Sequence, residues 1–86
     1  MRAYYHKSFK KAYKKLSQKL KARSNERILL FLDDPYHPIL NNHPLSGKYN
    51  GCRSINVSGD LRAIYKLIED DLAYFIEIGT HGKLYK

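Results

Sequence analysis

The chain has 86 residues, a formal net charge of +8 and an apolar fraction of 43%. That is room for one domain, residues 1–86, with a modest core, since a chain of this size buries only about 60–65% of the surface its unfolded form exposes. An enclosed large cofactor is excluded, and so is a disordered chain. Sixteen Lys and Arg against eight Asp and Glu select polyanions as partners: nucleic acid first, then an acidic protein, then a membrane surface. No apolar run of about 18 residues is present to span a bilayer, and no apolar segment near the start reads as a secretory signal. The single cysteine, Cys52, can make no internal disulfide, which fits a reducing cytoplasm. One cysteine and four scattered histidines do not compose a structural zinc site, and neither metal nor cofactor is expected.

Residues 2–5 suit a short first strand. A helical pattern follows, in which Phe9, Ala12, Tyr13, Leu16 and Leu20 recur at spacings that place them on one face. Lys7, Lys10, Lys11, Lys14, Lys15 and Lys21 fall around the rest, as a solvated face or as a stripe that meets phosphates or a partner. Ser24 or Asn25 is expected to cap a second helix, with Ile28, Leu29, Phe31 and Leu32 as its apolar face. The stretch "DDPYHPILNNHPLSG" carries Pro, Asn and Gly and reads as a long loop.

Three strands are predicted next: "GCRSINV", "LRAIYKLI" and "LAYFIEIG". Ser58-Gly59 and Asp70-Asp71 mark tight links, so these are antiparallel hairpins. Alternation separates the faces. Ile55 and Val57 oppose Ser54 and Asn56; Leu61, Ala63, Tyr65 and Leu67 oppose Arg62, Ile64, Lys66 and Ile68; Leu72, Tyr74, Ile76 and Ile78 oppose Ala73, Phe75 and Glu77. One face is mostly apolar and is expected to pack on the helices. The other carries Asn56, Arg62, Lys66 and Glu77 and is expected to look outward. The predicted class is α+β: two N-terminal helices on one side of a small, mostly antiparallel sheet.

"NHPLSGKYNGCRSINVSGDLRAIYKL" followed by "FIEIGTHGKLY" resembles the RelE/ParE toxin superfamily, in its YafQ and StbE-like branch. The shared signatures are His-Pro-Leu, a Gly-Arg strand, Asp-x-x-x-x-Tyr and a terminal Gly-Thr-His-x-x-Leu-(Phe/Tyr). They cover residues 43–85, and residues 1–42 match in pattern only. The resemblance implies the toxin of a type II toxin–antitoxin pair, with a RelE-like fold. Most RelE- and YafQ-like members cleave mRNA in the ribosomal A site without metal, whereas ParE-like members poison DNA gyrase. It implies as partners mRNA on the ribosome and a cognate, acidic antitoxin, with the free toxin a monomer or dimer and no membrane involved.

Carried over by position, the resemblance implies that His43, Asp60, His81 and Tyr85 serve cleavage and that Arg62 meets the phosphate. Asn56 stands where the branch carries a second histidine. An amide cannot transfer a proton at neutral pH, so that role is lost or moves to His43 or His81. Lys48, Asn56 and Lys66 are expected to help hold substrate. Cleavage through the 2′-hydroxyl needs a base, an acid and cations. Histidine suits both proton roles, and the guanidinium fork suits the phosphate. Duller roles remain open for each group: His43 and His81 as turn residues, Asp60 as a hairpin residue, Arg62 as the ion-pair partner of Glu77, and Tyr85 as a core plug. Leu84 is expected to anchor the tail so that His81 and Tyr85 return to the polar sheet face. The alternative function is a non-enzymatic gyrase-inhibiting toxin or an inactive relative.

Overall fold

Ser17 divides what the apolar periodicity reads as one helix. In the computed structural model, which describes residues 1–85, α1 spans Lys7–Lys14 and α2 spans Gln18–Asp33. The Ser17 hydroxyl accepts the Leu20 amide at 3.2 Å and starts α2,. The cap expected at Ser24 or Asn25 is therefore misplaced. Ser24 lies inside α2 with its hydroxyl donating to the Leu20 carbonyl at 2.8 Å. Asn25 accepts the Tyr13 hydroxyl at 3.0 Å, tying α2 to α1. The break leaves the apolar side intact, because Phe9, Ala12, Tyr13, Leu16 and Leu20 all meet the same core. Leu29 departs from expectation: it is 68% exposed, while Ile28 and Phe31 are buried.

The helices lie against one face of a five-stranded sheet with the order β1-β5-β4-β3-β2. β1 (Arg2–Tyr5) runs parallel to β5 (Leu72–Thr80). β3 (Arg53–Ser58) and β4 (Leu61–Glu69) form antiparallel hairpins with their neighbours. The Ser58–Leu61 link turns on Gly59, whose φ of 52° is left-handed,. β2 is only His43–Pro44, paired with Arg53 and Ser54. It lies inside the stretch read as loop, and its proline is tolerated because the strand is at the sheet edge. Around it the chain forms 3₁₀ turns at Pro38–Leu40 and Gly47–Tyr49.

Ile55, Val57, Leu61, Ala63 and Tyr65 face the helices, as alternation predicts. β5 does not keep its predicted parity. Ala73, Phe75 and Ile78 share that core, although alternation sets Ile78 opposite the other two. Glu77 pairs with Ile64 and Phe75 with Tyr65, so Ile76 is an inserted residue on β5. One bulge of this kind flips every later side chain. Ile76 instead joins a second cluster of Tyr49, Cys52, Ile64 and Leu84 on the far side. The far face is thus not simply solvated: Ile64 is fully buried there, and Cys52 serves as a small packed side chain,.

Candidate active site

Antiparallel partners project to the same face, so the register sets side chains in rows across the sheet. On the far face, His43 stands opposite Ser54, and Ser54 opposite Ile64. In the next row Asn56 stands opposite Arg62, and Arg62 opposite Gly79. The end of the chain folds over these rows as a one-turn helix, α3 (His81–Leu84). Thr80 caps it, and the His81 amide donates to the Asp60 carbonyl at 3.0 Å. Leu84, 4% exposed, drops into the cluster of Tyr49, Cys52 and Ile64. Gly79 gives this seat room: a Cβ there would lie 3.3 Å from the Leu84 side chain, a tight contact.

The tail and the two rows enclose an open cleft of about 290 Å³, walled by His43, Ser54, Arg62, His81 and Tyr85, with residues 44–46 completing its edge. His43 is held by a contact of 2.8 Å between Nδ1 and the Asn41 carbonyl. A carbonyl only accepts, so neutral His43 carries its hydrogen on Nδ1 and keeps the lone pair on Nε2. Arg62 bends back over the β3–β4 turn, and its Nη1 donates to the Gly59 carbonyl at 2.8 Å. Among the described residues it forms no ion pair with Glu77; the ion pairs are those of Arg2 with Glu69 and Asp71. The His81 ring lies 4.6 Å from that of Tyr85, and Tyr85 meets Tyr49 edge-on at 5.8 Å. Burial and the neighbouring Tyr49 push the Tyr85 hydroxyl above its ordinary pKa, with Arg62 pulling weakly the other way. Tyr85 is therefore a neutral ring at physiological pH, 39% exposed and available to stack,.

Four of the eight residues singled out from the sequence, His43, Arg62, His81 and Tyr85, line the cleft. Asp60 sits beside it and reaches His81 through its backbone carbonyl. Asn56 shares the row of Arg62, and its Oδ1 is buried without a partner among the described residues. The Lys48 ammonium lies over the Tyr49 ring, 5.3 Å from its centre, and so borders the aromatic stack behind Tyr85. Lys66 is exposed farther along β4, opposite Tyr74.

Two residues that sequence reasoning passed over matter here. Ser54 is 1% exposed and lines the cleft; its place on the Asn56 side of β3 was the available signal. Asn42 donates to Tyr65 Oη at 2.7 Å and to the Pro35 carbonyl at 2.9 Å, and accepts from Arg53 Nε at 2.7 Å. That network pins the segment carrying His43 to the sheet. A larger groove of about 550 Å³ runs between the end of α1 and β5, with Lys11, Lys15 and Lys83 above an apolar floor of Leu16, Leu20 and Ile78.

Residues 1–86 match the family model described as the bacterial toxin of type II toxin–antitoxin system, YafQ. The crystal structure of YafQ from E. coli strain BL21(DE3) is 29% identical and superposes with a TM-score of 0.81, covering 99% of this chain and 98% of that one. YafQ in the E. coli DinJ–YafQ toxin–antitoxin complex is 30% identical with a TM-score of 0.73, over 99% and 97% of the two chains. A copper-bound mutant toxin from Helicobacter pylori is 26% identical with a TM-score of 0.72, over 96% and 97%. No curated protein matches the chain.

Proposed function

The chain belongs to the YafQ family of type II toxin–antitoxin toxins, and on that premise we propose that it is an endoribonuclease that cuts mRNA on the ribosome. The observation that carries this reading is the convergence of His43, Arg62, His81 and Tyr85 in one cleft from β2, β4 and the chain end. A surface that only bound a partner would not require two proton-transfer groups and a guanidinium around one cavity.

The chemistry follows from what each group can do. His43 Nε2 removes the proton of the ribose 2′-hydroxyl, and the oxygen attacks the adjacent phosphorus. The bond from phosphorus to the 5′-oxygen breaks, leaving a 2′,3′-cyclic phosphate. His81, as imidazolium, supplies the proton that the departing 5′-oxygen takes up. Arg62 stabilises the charge that builds on the non-bridging oxygens. Tyr85 stacks on a base, a contact worth about 1–3 kcal/mol in single-stranded recognition. Asp60 acts by holding the His81 backbone, while Lys48, Asn56 and Lys66 draw in and position the strand. No resident metal takes part in this scheme.

The partners follow from the same premise. The E. coli relative occurs in complex with DinJ, and here a cognate acidic antitoxin neutralises the surplus of +8, with the lysine-rimmed groove as a place for one of its segments,. No helix among the described residues is long and apolar enough to cross a membrane, and the place of action is the cytoplasm, where the ribosomes are. The test is primer extension on a reporter mRNA translated in the presence of the purified toxin. Stops at defined codon positions are expected. Intact mRNA accompanied by DNA damage would move the protein to the gyrase-inhibiting class.

A further inference from the structure

Ser54 is the anomaly of the cleft. The chain's other fully buried serine, Ser24, satisfies its hydroxyl on the Leu20 carbonyl. The Ser54 Oγ is buried and has no partner among the described residues. At Ser54 itself β3 is paired on both sides, with His43 on β2 and Ile64 on β4. Its neighbours in the row are His43 and the apolar Ile64. A buried hydroxyl without a partner opposes folding, so its use is to be sought in what enters the cleft that it lines.

We propose that Ser54 is a second phosphate-holding residue of this cleft, its hydroxyl donating a hydrogen bond to a non-bridging oxygen of the phosphate that Arg62 also contacts. The proposal rests on the ribonuclease reading of the site and adds a residue and a role to it. The geometry suits a phosphate. Arg62 lies one pair along on the same face, with Nη1 engaged by the Gly59 carbonyl and its other N–H groups without an intramolecular partner among the described residues. A phosphate offers several acceptor oxygens, so the guanidinium and the hydroxyl can each take a different one. His43, opposite Ser54, then flanks the same phosphate. Asn56, in the row of Arg62, differs from Ser54 in that its orphaned atom is Oδ1, an acceptor, so only its Nδ2 can donate to an anion,.

The experiment compares wild type with Ser54→Ala in three measurements: melting temperature, binding of inorganic phosphate followed by amide NMR shifts at the cleft, and single-turnover cleavage on the ribosome. The melting temperature is expected to hold or rise, since an unpaired buried hydroxyl is removed. Phosphate affinity at the cleft should fall about tenfold, as for loss of a hydrogen bond to a charged group, and cleavage about 100-fold, as for loss of a transition-state donor. Ser54→Thr, which keeps the hydroxyl, should retain phosphate binding. A lower melting temperature in Ser54→Ala would make the residue structural and overturn the assignment. So would unchanged phosphate affinity, or a wild type whose cleft amides ignore phosphate. If phosphate binding falls as expected but wild type leaves mRNA intact, the ribonuclease reading fails and the anion site stands.

Discussion

Leu84→Ala should release the end of the chain without unfolding the sheet. The Leu84 side chain is 4% exposed and sits among Tyr49, Cys52 and Ile64. Burying such a side chain is worth about 1.5–3 kcal/mol, and truncation to alanine typically costs about 2–5 kcal/mol in a core that cannot relax. α3 can relax, because beyond this seat its ties are the amide bonds from His81 to Asp60 and Tyr85 to His81, the Thr80 cap and the edge contact of Tyr85 with Tyr49. The loss is therefore capped by the docking energy of the tail, about 2–3 kcal/mol, which lowers the ratio of docked to undocked tail about 30–150-fold. Hydrogen exchange reads this directly. Protection of the His81 and Tyr85 amides should fall by that factor, while the β4–β5 ladder amides keep theirs. Cleavage should fall with the docked population, and the melting temperature should move little. Undiminished protection of the Tyr85 amide would mean that Leu84 is not the anchor. Equal loss across β4 and β5 would mean that α3 is part of the global folding unit.

His81→Ala should reduce cleavage about 10²–10⁴-fold, the usual cost of a proton-transfer group, with an unchanged melting temperature, because its exposed ring fills no core space; growth arrest at equal expression would count against it. Arg62→Ala should slow single-turnover cleavage more than it weakens ribosome binding, since it removes one of sixteen cationic side chains but the one in the cleft; equal rates would remove it from the chemistry. Asn56→His should keep or raise activity and add one histidine-like ionisation to the pH–rate profile between about pH 5 and 8.5, and an identical profile would place position 56 out of reach of the phosphate. Tyr5, Tyr49, Tyr65 and Tyr85 all have hydroxyls pushed above the ordinary 10.0, chiefly by burial. The folded state then holds more protons than the unfolded one above about pH 10. Their contribution is complete below that pH and is lost as pH rises through the folded values, and Tyr65→Phe should flatten the loss in denaturant melts.

The class and the core were legible because they rest on periodicity. Phe9, Ala12 and Tyr13 on a helix, or Ile55, Val57, Leu61 and Ala63 on strands, declare their common side by spacing alone. The errors came where one residue outweighs a period. Ser17 ends the helical run seven residues before the expected cap, and nothing in the apolar spacing changes there, because both helices present their apolar residues to the same core. Ile76 is an insertion that only the partner strand reveals, since a bulge is defined by what stands opposite,. β2 is two residues long and exists because Asn42 and Arg53 hold the loop against the sheet. A contact between residues that far apart in the chain leaves no local pattern.

The site was legible to a different degree, and its four histidines show why. By type they are interchangeable, yet their ring nitrogens do opposite things. His6 Nδ1 accepts the Ser8 amide at 3.0 Å and opens α1, and His37 Nδ1 accepts the Ile39 amide at 3.2 Å and opens the turn after α2. Each needs its lone pair where it is, and protonation there would break a cap. His43 has the reverse arrangement: its Nδ1 faces a carbonyl, so gaining or losing a proton at Nε2 leaves that tie intact. His81 is fixed by its backbone amide and by its ring on Tyr85, neither of which engages a ring nitrogen. The two capping histidines are structural because the proton they would carry conflicts with the bond they make. The two in the cleft are positioned through other atoms, so neither needs a lone pair at Nε2 to hold its place. Sequence separates the pairs only through neighbours, Gly-Thr before His81 and the Asn-Asn before His43, and it is the fold that turns those neighbours into a cap and a carbonyl.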